Sequence, residues 1–346
     1  MKTTARNNSI DLELFSKLKE DVAHIFKKDN IEKVARESGF VQRTSKLTGQ
    51  LFMTVFVFGM SIYKTPTLEQ LIGLINTCIP DFEITRQGFH DRINDNAVVF
   101  FEYMLSLAIK ITIPSTINIE VLKQFKRVIV MDSTSFQLPE ELAVLFPGSG
   151  GSASDAGMKI QFGYDLKSSQ FFYIMQEGKA QDNSDEMDLP SHIQPEDLFI
   201  ADLGYFNILN AYKIDQKNAY SLNRLKLNVN LYVMDDNKKL INFDLLKFTD
   251  SVVDGIFEIE VYLKHKELLV KQRLVIERAP EQVYEQRLRR INENDKKKGK
   301  TTSEKTKKMQ AFNLHLSNAP ESMLSKEYFR KLYGIRWQIE LIFKNC

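Results

Sequence analysis

Two short, strongly apolar runs of this chain each end in an aspartate. KRVIVMDSTSF, rich in β-branched residues, reaches Asp132, and DLFIADLGYFN reaches Asp202. Apolar runs of this length read as buried strands. A carboxylate at the mouth of a buried strand is costly unless it is paired or bound to metal. In open α/β sheets, sites gather at the carboxyl ends of strands. An Asp after a strand is also a common turn former or helix cap, so each Asp alone stays open to that reading. A third carboxylate, Glu340, sits on a helix-like segment amid Trp337, Ile339, Leu341, Ile342 and Phe343. Two strand-end Asp and one helical Glu make an oxygen-rich set that suits Mg²⁺ or Mn²⁺ rather than zinc. Two such ions ~3.5–4 Å apart can activate an attacking oxygen and stabilise a leaving one in an in-line phosphoryl displacement.

The rest of the chain frames this set. Residues 8–113 read as helical: NIEKVARESGF stops at Gly39, TPTLEQLIGLINTCI has a cap candidate at Thr67 or Thr65, and EITRQGFHDRINDNAVVFFEYMLSLAIK holds two more helices. The helix with Arg86, Gln87, His90 and Arg92 offers a polar face, either an ordinary one or one that docks on DNA. MKIQFGYDL and QFFYIMQEG, separated by KSS, read as a hairpin. Residues 228–278 alternate in the manner of strands through LYVMD, LINFDLLKF, IFEIEVYL and LLVKQRLVIER. FNLHLSNAP reads as a last strand, and SKEYFRKLYGIRWQIELIFKNC as a helix capped at Ser325.

Composition narrows the function classes. A length of 346 residues suggests two or three domains, and 43% hydrophobic with 27% charged residues argues against disorder. The longest apolar run, residues 51–63, is too short to span a bilayer and reads as a buried helix, and no signal peptide is evident. Cys78 and Cys346 make neither a disulfide framework nor a zinc pair, so the protein reads as cytoplasmic. Net charge is only +2, but residues 285–308 carry ten Lys/Arg against four Asp/Glu. That tract, with Lys296, Lys297, Lys298 and Lys300, suits phosphate contact, or else forms a solvated helix or loop.

VIVMDSTSF, the loop PGSGG followed by MKIQFGYDL, and IADLGYFN resemble the first and second Asp blocks of the DDE transposases of insertion sequence family 4. NRLK resembles the strand end after that family's second Asp. LSNAP with LYGIRWQIELIFK resembles its third block, a Tyr, Arg, Glu and Lys pattern in which Tyr333, Arg336 and Glu340 match in spacing. ARESGFVQR and ITRQGFHDRIN resemble its N-terminal blocks. Tyr333, Arg336 and Glu340 are at i, i+3 and i+7, so they share a helix face.

The resemblance implies an α/β protein with an RNase H-like catalytic core. An all-β insertion would lie between Asp202 and Glu340, and an all-α domain would precede the core. The expected boundaries are a helical DNA-binding domain at 1–115, core at 116–224, β-rich insertion with the basic tract at 225–310, and core again at 311–346. It further implies two Mg²⁺ or Mn²⁺ ions held by Asp132, Asp202 and Glu340, and double-stranded DNA as partner, both terminal inverted repeats and target. Tyr333 and Arg336 would hold the DNA end, and Arg86, Arg92 and the four lysines would add contacts. A homodimer in the active complex and a nucleoid-associated, cytoplasmic location are expected, with no membrane.

By the family spacing the Lys falls at position 347, one past Cys346, while Lys344 faces elsewhere on the helix. The alternative expectation is therefore a truncated, catalytically impaired DNA-binding fragment that competes with intact transposase. A host RNase H-like nuclease, and a regulator that uses only the N-terminal helices, are further alternatives.

Overall fold

A computed structural model describes residues 26–63, 66–79, 82–112, 119–150, 154–168, 170–180, 189–252 and 254–336. The chain divides into two compact units, Met1–Thr116 and Ile117–Cys346.

The first unit is helical where described: α1 (Lys28–Glu37), α2 (Gly49–Tyr63), α3 (Leu68–Cys78), α4 (Arg86–His90) and α5 (Asp95–Thr112). Local chemistry sets these limits. Gly39, at φ +75°, follows α1 in the left-handed region that glycine tolerates. Thr67 and Gln70 form a reciprocal capping box on α3. Glu32 of α1 accepts from the backbone N–H groups of Gly49 and Gln50, which fixes the start of α2. A Cβ added at Gly49 would lie 2.5 Å from that of Ala35, so the two helices meet closely there. The core is aromatic, with Phe52 packed on Phe40 and Phe56 at 4.6 and 4.7 Å between ring centroids.

The run 51–63 corrects the expectation of a buried helix. Leu51, Phe52, Met53 and Val55 are buried, but Val57, Phe58, Met60 and Ile62 are more than half exposed. The run is apolar around its whole circumference, and the other described helices of this unit cover only one side of it. Among the described residues no single helix is long and apolar enough to cross a membrane.

The second unit is built on a ten-stranded sheet in the order β3-β2-β1-β4-β5-β10-β9-β8-β6-β7. The strands are β1 (Val128–Gln137), β2 (Gly157–Asp165), β3 (Phe171–Glu177), β4 (Leu198–Ala201), β5 (Tyr220–Arg224), β6 (Leu231–Met234), β7 (Leu240–Asn242), β8 (Ile256–His265), β9 (Leu268–Arg278) and β10 (Phe312–Ser317). β1, β4 and β5 are mutually parallel neighbours, and β2 runs antiparallel to β1. The apolar runs of β1 and β4 are buried because both faces of a parallel sheet are covered. Ile129, Met131, Phe199 and Ala201 pack on Ile214 of α6 (Ile208–Gln216). β2 and β3 form the expected hairpin.

The segment 225–310 differs from the all-β expectation. Strands β6–β9 alternate there with α7 (Leu245–Asp250), α8 (Glu281–Lys298) and α9 (Glu304–Met309). LLKF leaves the strand pattern because the Asp244 side chain caps α7 by accepting from the Lys247 N–H. The basic tract lies largely on α8. Its Glu, Gln, Arg and Lys residues favour helix, and Lys296–Lys298 in the last turn suit the negative end of the helix dipole. Gly299, at φ +58°, ends it. The segment is not a separate sheet, since β9 pairs with β10 along the whole of β10. At the end of the described chain, a 3₁₀ turn at Lys326–Tyr328 follows Ser325, whose side chain makes no cap hydrogen bond. Helix α10 then covers residues 329–336.

Candidate active site

Parallel pairing sets the geometry of the site. The last registered pair of β1 and β4 is Met131 with Ala201, so Asp132 and Asp202 follow side by side. β1 continues through Asp132, which lies opposite Phe162 of β2. At Asp202, β4 has ended, and the carboxylate accepts from the Gly204 N–H at the start of a 3₁₀ turn. The two aspartates thus have different surroundings. The Asp132 side chain is 15% exposed and that of Asp202 46%.

Arg336 faces both carboxylates. Its Nη1 lies 3.4 Å from Asp132 Oδ2 and its Nη2 3.6 Å from Asp202 Oδ1. The guanidinium is buried, which is tolerable because it meets opposite charge on two sides. One turn earlier on α10, Tyr333 is also buried, with its ring 5.8 Å from Arg336 Cζ and 5.1 Å from the His315 ring. Burial, with the Asp202 charge in second place, pushes the Tyr333 phenol up to about 12, so it stays neutral. His315 of β10 is pushed down to about 3, first by burial and then by Arg224, Arg330 and Arg287.

Of the residues singled out from sequence, the structure therefore brings together Asp132, Asp202, Tyr333 and Arg336. Glu340 lies outside the described residues. Lys296, Lys297 and Lys298 are exposed in the last turn of α8, with Lys300 just beyond it. Arg86 and Arg92 belong to the first unit, where both have partners. Arg86 pairs with Glu69 at 3.1 Å, and Arg92 stands 5.1 Å from the Phe40 ring centre. Sequence reasoning gave Arg224 only as part of the NRLK run and Arg287 only as part of the basic tract, and missed Arg330. Arg330 had a legible signal, because it extends the Tyr333 and Arg336 face by three residues.

Two adjacent oxygen donors already facing a cation fit a divalent metal. Among the described residues no three carboxylate, imidazole or thiol groups form a metal-binding cluster.

The profile of the transposase DDE domain matches residues 123–346, which include both aspartates. The chain belongs to this DDE transposase family. The transposase for insertion sequence element IS231F of Bacillus thuringiensis subsp. israelensis is 33% identical over 332 residues, 91% of this chain and 69% of that relative. That for IS231B of B. thuringiensis subsp. berliner is 32% identical over 352 residues, 97% of this chain and 73% of the relative. That for IS1151 of Clostridium perfringens is 28% identical over 94% of this chain. DDE transposases cut DNA and in general use divalent metal ions.

Proposed function

We propose that this chain is the transposase of an insertion sequence and moves it by cut-and-paste phosphoryl transfer. The observation that carries this reading is the pair Asp132 and Asp202, side by side where the parallel pairing of β1 and β4 ends and facing one buried guanidinium. The order β3-β2-β1-β4-β5, with β1, β4 and β5 parallel and β2 antiparallel to β1, supports an RNase H-like core. Asp132 and Asp202, with Glu340 supplied by the sequence pattern, would hold two divalent ions, Mg²⁺ or Mn²⁺. Bound there, such ions supply an activated oxygen nucleophile and charge stabilisation at the leaving oxygen.

Water attacks the phosphodiester at the element end, the bond to the 3′ oxygen breaks, and a 3′-hydroxyl is released. That hydroxyl then attacks a phosphodiester of the target, exchanging one P–O bond for another. Arg336 offsets part of the carboxylate charge in the free protein, and its fork geometry suits a phosphate once that charge is met otherwise. Tyr333 would contact the DNA end beside it. Terminal inverted repeats and target DNA are the partners, in a homodimeric complex. Asp132→Asn should abolish Mg²⁺-dependent cleavage of an element-end duplex and leave duplex binding largely intact. Cleavage at the wild-type rate in that variant would sink the assignment.

A further inference from the structure

Beside the carboxylate pair, the same unit holds a crowded set of cations. β5, β10 and β9 are neighbours, and their register sets Arg224 opposite His315 and Glu277 opposite Asn313. Asn313 and His315 are two residues apart on β10, so their side chains share a face of the sheet. Two further arginines reach this face. Arg330 of α10 pairs with Glu277 Oε1 at 3.0 Å. Arg287 of α8 donates to Asn313 Oδ1 at 2.6 Å and to the carbonyls of Gln310 and Phe312 at 2.8 and 3.3 Å.

Three guanidiniums thus gather around one carboxylate, leaving an excess of two positive charges. Arg287 is half-buried, and its hydrogen bonds go to neutral acceptors, which satisfy its donors without cancelling its charge. Its pKa is lowered first by burial and then by the like charges of Arg224 and Arg330. The set also touches the site. Tyr333 packs on His315 on one side and lies beside Arg336 on the other. From Arg287, α8 runs on to Lys296–Lys298, about 15 Å at helical rise.

We propose that Arg224, Arg287 and Arg330 form a phosphodiester subsite that grips the DNA backbone as it leaves the Asp132 and Asp202 pair. The proposal rests on the reading of the chain as a DNA transposase. Like-charged guanidiniums crowd favourably when a bidentate anion bridges them, and a backbone phosphate offers that geometry. Glu277 holds Arg330 over the sheet and moderates the repulsion in the free protein.

The test is DNA binding by the full chain, measured by fluorescence anisotropy on a short duplex across a series of KCl concentrations. Arg224→Gln and Arg330→Gln should each lower the log–log salt slope by ~0.9, one phosphate contact apiece. Arg224 is exposed and makes no hydrogen bond or ion pair through its side chain among the described residues, so its variant should fold; an unchanged melting temperature checks this. Glu277→Gln, which adds net positive charge, should bind more tightly and with a steeper slope. Wild-type slopes in Arg224→Gln, Arg330→Gln and their combination would overturn the subsite while leaving the transposase reading intact. A wild-type chain that binds no DNA at low salt would overturn both.

Discussion

Arg336 takes the place that positive charge must take in the free protein. Two carboxylates that emerge from neighbouring strands repel each other, and a buried guanidinium between them offsets that cost. Its removal should therefore be felt most when no other cation is present. Arg336→Gln is expected to destabilise the chain by about 1–3 kcal/mol in EDTA, discounted from a fully buried pair because Asp202 is half exposed. Added Mg²⁺ should narrow the gap to wild type, because the ion restores the missing charge. Thermal melts with and without Mg²⁺ measure this, and a gap indifferent to the ion would mean that guanidinium and metal do not compete. The i, i+3 spacing sets Arg336 and Tyr333 on one helix face, and that much was legible in the sequence. That Arg336 turns inward to both aspartates was not, because both partners lie more than 130 residues earlier in the chain.

At the scale of elements, what was local was legible. The runs VIVM and LFIA are apolar enough to declare buried strands, and Thr67 with Gln70 declares the start of α3. The segment 225–310 was harder, since a single cap at Asp244 or a stretch of Glu and Lys decides between alternating strand and helix. Still less legible was the pairing of β10 with both β5 and β9, which depends on contacts between distant segments. Helix α8 makes the charge tract a regular element, with Lys296, Lys297 and Lys298 covering most of a turn. Replacing these three and Lys300 by Gln should weaken duplex binding and flatten its salt dependence, by ~0.9 for each phosphate that the variant no longer neutralises. An unaltered slope would identify α8 as an ordinary solvated helix.

The second unit as a whole is organised by one sheet rather than by a core with an appended module. β9 joins β10, β10 joins β5 and β5 joins β4, so the strands of 225–310 are linked through one continuous sheet to the carboxylate-bearing strands. This predicts cooperativity. Hydrogen exchange in the full chain should show amides of β4 and β9 losing protection at the same denaturant concentration. Loss at β9 well before β4 would show that the sheet is two units. The same arrangement has a consequence in time. Asp202 and Arg336 are separated by 134 residues, so at ~5–20 residues per second a ribosome makes the second about 7–27 s after the first. Through that interval the nascent chain holds both aspartates without their guanidinium, and for much of it β5 without β10, the strand that covers its edge. Synthesis itself thus delays the assembled site, and a chaperone that shields the β5 edge would act on a chain still unable to close around its own carboxylates.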